Sequence, residues 1–246
     1  MYFLDSHIHL QDYKTQEVKN VVNNAAKNNV TRFINASAHP DDWDEVKILA
    51  NQYPQLIPAY GIHPWYTKDI TQNWADGLEK LLKENPLAMV GECGIDRLKN
   101  PDAQQQIQIL WTHINLANKY SRALIIHAVK ANREFGELFA KLPKRTVFHS
   151  FTGSVEWGQE IQRHGFFLGL NFSILCKKNR AEILRGINLE KVLLETDGPY
   201  QNIIKGEETL PQNLPVLAEQ IAELTGIPNA EFSDITAENQ RKFLGE

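Results

Sequence analysis

The sequence predicts an α/β protein of the TIM (β/α)8 barrel class, formed by a single domain over residues 1–246. Short apolar runs alternate with longer amphipathic stretches, and eight such units follow one another along the chain. The runs are apolar almost throughout, as expected for parallel strands that are buried on both faces. An open doubly wound sheet is the alternative, but the first turn, SHIHLQD, contains no glycine-rich phosphate-binding sequence. The closed barrel is therefore favoured.

Each predicted strand is an apolar run bounded by polar or turn-forming residues. These runs occupy residues 2–4, 31–37, 55–64, 87–94, 123–128, 146–151, 165–171 and 191–199. Their short lengths and their spacing fit barrel strands that are connected through helices.

Each predicted helix has apolar residues at helical spacing, beginning with Val18, Val21, Val22 and Ala25 in the first. The second opens with Pro40 and acidic residues, which favour a helix start. The helices that follow strands one to seven cover residues 16–29, 40–53, 71–85, 102–120, 132–142, 155–164 and 180–187. Two further helices, over 213–226 and 236–245, complete the chain. 

Composition limits the function classes. The net charge is −4, which argues against nucleic-acid binding through a basic surface alone. The two cysteines, Cys93 and Cys176, match no disulfide or zinc-finger spacing, which favours a reducing compartment. We find no signal peptide and no apolar run long enough to span a membrane. We therefore expect a cytoplasmic protein without membrane contacts, and we expect it to be a monomer.

Residue types that bind metals occur at the carboxyl ends of several predicted strands, where parallel barrels place their active sites. They are His7 and His9 at strand one, Glu92 at strand four, His127 at strand five, His149 at strand six and Asp197 at strand eight. Because side chains two residues apart on a strand share a face, His7 and His9 are expected to point inward together. The same rule places Glu195 on the face of Asp197. Either Glu195 is a partner of that carboxylate, or the strand already bends at this point. Cys93 is expected to pack against the helices.

Four imidazoles and two carboxylates are more than one catalytic zinc ion takes from a protein. They suit two divalent ions about 3.5–4 Å apart, bridged by a carboxylate and a hydroxide. We expect Glu92 to bridge, with His7, His9 and Asp197 completing one set of ligands and His127 and His149 the other. Asp197 could also accept a proton from the attacking water. The mixed nitrogen and oxygen ligands fit zinc, manganese, iron or magnesium.

At these residues the sequence resembles the TatD-type metal-dependent deoxyribonucleases of the amidohydrolase superfamily. The matching segments are, in family order, DSHIHL, GIHPW, GECGIDR, LIIHAVKA, FHSFTGS, LLETDGPY and TAENQRKFLG, and together they span nearly the whole chain. The resemblance implies a TIM barrel and a two-metal site built from the six residues above. It also implies hydrolysis of phosphodiester bonds in DNA, often as a 3′ exonuclease, so the expected partner is DNA or another phosphate-bearing substrate.

The resemblance extends to residues that contact substrate or support the ligands. It places His63 near the substrate, Arg97 against phosphate and Asp96 as an orienting group. Asp5 could accept a hydrogen bond from a ligand histidine. Where many relatives have Ser-Arg after the strand-five histidine, this chain has Ala128 and Val129, and Lys130 is the candidate replacement cation. The segment KGEETLPQNLP replaces the Asn-Glu-Pro sequence that many relatives carry after strand eight.

Two alternatives remain beside the deoxyribonuclease. The altered segments allow a metal-dependent ester or amide hydrolase with the same site, such as an aminoacyl-tRNA deacylase or a small-molecule amidohydrolase. A binding protein with a vestigial site is the other alternative, but the complete set of ligand residues argues against it.

Overall fold

The computed structural model describes residues 2–68, 70–99, 103–201 and 206–246. Its strands and helices alternate, and the strands form one eight-stranded sheet in chain order, β1-β2-β3-β4-β5-β6-β7-β8. The fold is a TIM (β/α)8 barrel, as the sequence predicts. The strands are β1 Phe3–Ile8, β2 Val30–Ala36, β3 Leu56–Tyr60, β4 Met89–Asp96, β5 Leu124–Val129, β6 Thr146–Phe148, β7 Phe167–Leu170 and β8 Val192–Leu194.

The helices lie close to their predicted positions. They are α1 Val18–Lys27, α2 Trp43–Gln52, α3 Trp74–Glu84, α4 Gln104–Lys119, α5 Asn132–Leu138, α6 Val155–Arg163, α7 Arg180–Gly186, α8 Leu214–Thr225 and α9 Asn229–Leu244. The predicted start of α4 at Asp102 and the start of the KGEETLPQNLP segment at Lys205 lie outside the described residues.

Three boundaries differ from the sequence-based prediction for physical reasons. Helix α9 begins seven residues before the predicted residue 236, because Pro228 fits the position before a helix and Phe232 supplies an early buried residue. Strands β6 and β8 end earlier than predicted. The chain leaves the extended conformation at Ser150 (φ 51°) and Asp197 (φ 56°).

The structure divides into two compact units, of which the first comprises Met1–Ile34 and Ser150–Glu246. Strand β1 lies against β8 in this unit, and the backbone N–H of Asp197 donates to the carbonyl of His7 at 2.9 Å. The backbone N–H of His9 donates to the carbonyl of Gly198 at 2.7 Å. These two hydrogen bonds hold the end of β1 beside the segment that follows β8.

The second unit comprises Asn35–His149 and contains the parallel strands β3 to β6. The register between β4 and β5 shifts between Val90 and Cys93, so strict strand alternation is interrupted around Glu92. Two glycines permit close approach of the strands at this point. A Cβ at Gly61 would lie 2.5 Å from the carbonyl oxygen of Glu92, and one at Gly94 would lie 1.9 Å from the carbonyl oxygen of His127.

Two further expectations concern the cysteines and the membrane. Cys93 is buried, as predicted, and burial raises the pKa of its thiol well above the ordinary value. Cys176 is exposed.

In the described part of the chain, every helix is too short or too polar to cross a bilayer. The prediction that residues 1–246 form a single domain stays a prediction.

Candidate metal centre

The first unit brings three predicted ligands together, and we call His7, His9 and Asp197 the first cluster. The Nε2 atoms of His7 and His9 lie 3.1 Å apart. Oδ1 of Asp197 lies 3.8 Å from Nε2 of His7 and 3.6 Å from Nε2 of His9. All three residues are buried. 

The local backbone explains this convergence. His7 lies on β1, and His9 follows the end of that strand at the start of a short turn. Asp5 accepts a hydrogen bond from the backbone N–H of Thr196 at 2.9 Å and a second from the Thr196 hydroxyl, which fixes the chain just before Asp197. Its hydrogen bond with His7 comes from the backbone N–H, at 3.4 Å, rather than from the imidazole. Burial, the largest effect, raises the pKa of Asp5 to about 7 although the bonds from Thr196 oppose it.

The second unit brings together Glu92, His127 and His149, which we call the second cluster. Oε1 of Glu92 lies 2.9 Å from Nδ1 of His127 and 2.7 Å from Nε2 of His149. The two imidazole nitrogens are 3.3 Å apart. Burial by itself would raise the pKa of Glu92, but the electrostatic effect of His149 and His63 and the hydrogen bonds from His127 and His149 hold it well below the ordinary range. The carboxylate is therefore ionised and ready to bind a cation.

His63 lies against the second cluster. Its Nε2 is 3.3 Å from Oε1 of Glu92 and 3.2 Å from Nδ1 of His127. The sequence predicts a substrate contact at this residue, and the structure places it where it can also serve as a ligand. The signal in the sequence is its position, because His63 follows the end of the third strand as His9 follows the end of the first.

Asp96 supports the second cluster through His127. Its Oδ2 lies 3.3 Å from Nε2 of His127 and accepts a hydrogen bond from Nε1 of Trp65 at 2.7 Å. Burial opposes ionisation of Asp96, but the hydrogen bonds from His127, Trp65 and the backbone of Lys99 outweigh it and lower the pKa below the ordinary value. A carboxylate bonded to the far nitrogen of a ligand histidine fixes the orientation of the ring. The orienting role predicted for Asp96 agrees with this geometry.

The donor atoms fit divalent metal ions. Nitrogen and oxygen ligands lie about 2.0–2.2 Å from zinc, so two atoms that bind one ion are separated by at most about 4.4 Å. The distances within the first cluster, 3.1 to 3.8 Å, and within the second, 2.7 to 3.3 Å, satisfy this limit. Imidazole and carboxylate ligands suit several first-row metals. Each cluster can therefore hold one cation.

The two predicted substrate-binding cations lie on the surface. Nη1 of Arg97 contacts Oε1 of Glu134 at 2.8 Å, and its side chain is 43% exposed. Lys130 is exposed and has a left-handed backbone conformation, with φ 54°. Both follow the ends of neighbouring strands, since β4 and β5 pair at Asp96 and Val129.

The structure also shows contacts around the clusters that sequence reasoning missed. Nε2 of Gln201 donates to Oδ2 of Asp197 at 3.1 Å, and Gln201 adopts a positive φ of 54°. Glu195, expected beside Asp197, is buried and accepts a hydrogen bond from the backbone N–H of Ser150 at 2.6 Å. The third such contact is made by Trp65, within the matching segment GIHPW, which donates its indole N–H to Asp96. No local pattern in the sequence predicts these partners.

The sequence matches the family described as TatD related DNase over residues 4–245. This chain belongs to the TatD-related DNase family. An uncharacterised metal-dependent hydrolase of Methanocaldococcus jannaschii is 24% identical over 244 residues, which cover 98% of this chain and 96% of that protein. Deoxyribonuclease TATDN3 of Homo sapiens is 25% identical over 258 residues, covering 98% and 94% of the two chains.

A similar fold occurs in a solved structure of this family. The crystal structure of YJJV, a TatD homolog from Escherichia coli, matches with a TM-score of 0.92 at 23% identity and covers 99% of this chain and 98% of its own. The predictions of this family, of the TIM barrel and of a metal-dependent hydrolase are confirmed. The alternative of an ester or amide hydrolase finds no support in these comparisons.

Proposed function

We propose that this TatD-family hydrolase cleaves phosphodiester bonds in DNA with two divalent cations, one held by each cluster. The observation that carries the proposal is the spacing of donor atoms, because both clusters meet the distance limit for a single ion. Family membership and the relative named a deoxyribonuclease support DNA as the substrate. The bridging role of Glu92 stays a prediction from the sequence. 

The protein side chains have distinct roles in this proposal. When bound, divalent ions neutralise phosphate charge and lower the pKa of water, so that hydroxide is available at neutral pH. His7 and His9 provide neutral nitrogen ligands on one side of Asp197. The Asp197 carboxylate also accepts a proton from the attacking water, and Gln201 holds its Oδ2 in place at 3.1 Å. Asp96 lies at Nε2 of His127 and thereby keeps the Nδ1 atom of the same ring directed at Oε1 of Glu92.

Three finer statements are part of the same proposal. The chain acts as a single domain and as a monomer. It acts at strand ends, as a 3′ exonuclease. It works in the cytoplasm, where the free thiols of Cys93 and Cys176 are compatible with a reducing environment.

Hydrolysis of single-stranded DNA in the presence of Mn²⁺, Mg²⁺ or Zn²⁺ tests the proposal. We expect His127→Ala and Asp197→Ala to reduce turnover by at least about 100-fold, because each removes a ligand and its supporting interactions. EDTA should abolish turnover and should lower the melting temperature, since cations that bind only the folded state stabilise it.

His164→Ala is the matched control. His164 lies on the surface after α6, where its Nε2 contacts Oε1 of Glu160 at 3.3 Å, and its loss should leave turnover unchanged. Undiminished DNA hydrolysis by both His127→Ala and Asp197→Ala would refute the assigned site. Failure of the wild-type protein to cleave DNA with any of the three metals would refute the substrate.

A further inference from the structure

Trp65 is an exposed aromatic residue beside the second cluster. It is 50% exposed, whereas His63 and Pro64, which precede it, are buried. The rings of His63 and Trp65 lie 5.0 Å apart and are nearly perpendicular, at 89°. A large indole left half in solvent contributes less to core packing than a buried one does. Its position next to candidate metal ligands calls for another explanation.

The orientation of the indole is fixed by hydrogen bonds. Nε1 donates to Oδ2 of Asp96 at 2.7 Å, and the backbone N–H of Trp65 donates to Nδ1 of His63 at 3.2 Å. The same oxygen of Asp96 faces Nε2 of His127 at 3.3 Å. The ring is therefore held at a defined position relative to two residues of the cluster region. A fixed ring loses little conformational entropy when a ligand binds to it.

A cation lies against this aromatic ring although the whole chain is acidic, with a net charge of −4. Nζ of Lys99 lies 4.8 Å from the centroid of the Trp65 ring. Arg97 and Lys130 follow the paired ends of β4 and β5, directly after Asp96 and Val129. The flexible side chain of Lys99 can move from the ring to a phosphate group. An aromatic face with a cation beside it is a combination that single-stranded nucleic acids bind.

We propose that Trp65 is a stacking platform for an unpaired nucleobase and that Lys99 contacts the adjoining backbone phosphate. The substrate class is then a single-stranded or frayed DNA end. A base inside a duplex is already stacked on both faces, so the indole can receive only an unpaired base or a base at a strand end. This inference rests on the proposed DNA hydrolysis at the neighbouring metal ligands. It adds Trp65 as the residue that favours an unpaired strand end over a duplex.

The test compares binding of a labelled oligothymidine with binding of the same strand carrying abasic sites, measured by fluorescence anisotropy in EDTA. We expect wild-type protein to bind the thymine strand about 5- to 150-fold more tightly, the contribution of one stacked base. Trp65→Leu should lose this preference. Trp65→Phe keeps a ring without the N–H donor and should retain most of it. Because EDTA removes the metal, a weakened contact with Asp96 cannot act through metal affinity.

Tyr2→Leu is the control, since Tyr2 is also an exposed aromatic residue, at 69%, and lines a pocket with Leu4, Arg32 and Gln240. It should retain the preference for the thymine strand. Equal binding of the two strands by wild-type protein, or an unchanged preference in Trp65→Leu, would overturn the stacking role.

A hydrolysis assay with Mn²⁺ on the same strands separates this inference from the proposed function. Cleavage by wild-type protein without Trp65-dependent binding would leave the nuclease assignment intact and would remove the platform. Trp65-dependent binding without cleavage under any metal condition would retain the platform and would reject DNA hydrolysis.

Discussion

At the scale of single residues, the carboxylate of Asp96 links the candidate metal ligands to their surroundings. It faces Nε2 of His127 and accepts the indole N–H of Trp65 through the same oxygen. Its other oxygen accepts backbone N–H groups from Leu98 and Lys99, at 2.9 and 3.1 Å. Four partners hold this buried side chain in one position. The imidazole of His127, which lies against it, is therefore held in one orientation.

Replacing Asp96 by Asn should weaken metal binding at the second cluster by about 10- to 100-fold, because loss of a partner to a ligand histidine has an effect of this size. Competition between the protein and a chromogenic chelator measures this affinity. Asp44→Asn, a neutral replacement of an exposed carboxylate on α2, should leave the affinity unchanged. An affinity in Asp96→Asn equal to that of the wild type would show that His127 needs no such support.

At the scale of elements, the path of β4 depends on its glycines. Gly94 has φ +156°, a conformation that residues with a side chain rarely adopt, and a Cβ at this position would lie 1.9 Å from the carbonyl oxygen of His127. Strand β5 carries that histidine, so the spacing between β4 and β5 sets the position of a candidate ligand. The carbonyl oxygen of His127 belongs to the backbone, so it cannot move away from a Cβ at residue 94 as a flexible side chain could.

Gly94→Ala should destabilise the protein by about 2–4 kcal/mol, combining overpacking with an unfavourable φ. Gly136→Ala provides the matched comparison on α5, where an added Cβ meets no atom within 4 Å. That change should stabilise the protein by about 0.5–1 kcal/mol, because alanine favours a helix interior. Urea denaturation of both variants measures the two effects. Equal stability of the two variants would contradict the close approach of β4 and β5.

At the scale of the whole molecule, the free energy of unfolding should depend on pH through His113. This residue lies on α4, fully buried, where Nδ1 bonds the carbonyl of Ile109 at 2.8 Å and Nε2 accepts the N–H of Ile62 at 3.2 Å. Burial lowers the pKa of His113 from 6.5 to about 4. The folded protein keeps this imidazole neutral, whereas the unfolded chain takes up a proton below about pH 6.5.

The contribution of His113 to stability should therefore be complete above pH 6.5 and should be lost as the pH falls toward 4. The loss over this range is about 3 kcal/mol for this pKa shift. Urea denaturation between pH 7.5 and 4.5 gives the free energy of unfolding of wild-type protein and of His113→Gln. The effect of His113 is the change with pH in the difference between these two free energies. His164→Gln, at an exposed histidine, should run parallel to the wild type. A constant difference between wild type and His113→Gln across this range would exclude the buried neutral state.

The sequence by itself determined the barrel and predicted six candidate ligands, because strand periodicity and the residues at strand ends are local properties of the chain. The distances that group these ligands into two clusters came from the tertiary structure. So did the place of His63 beside Glu92, the contact of Asp96 with His127 and the bond from Gln201 to Asp197. The partners in the first two cases are 29 and 31 residues apart. The physical reason is that periodicity fixes which face a side chain occupies, whereas its partner depends on strand spacing and backbone turns that bring distant segments together.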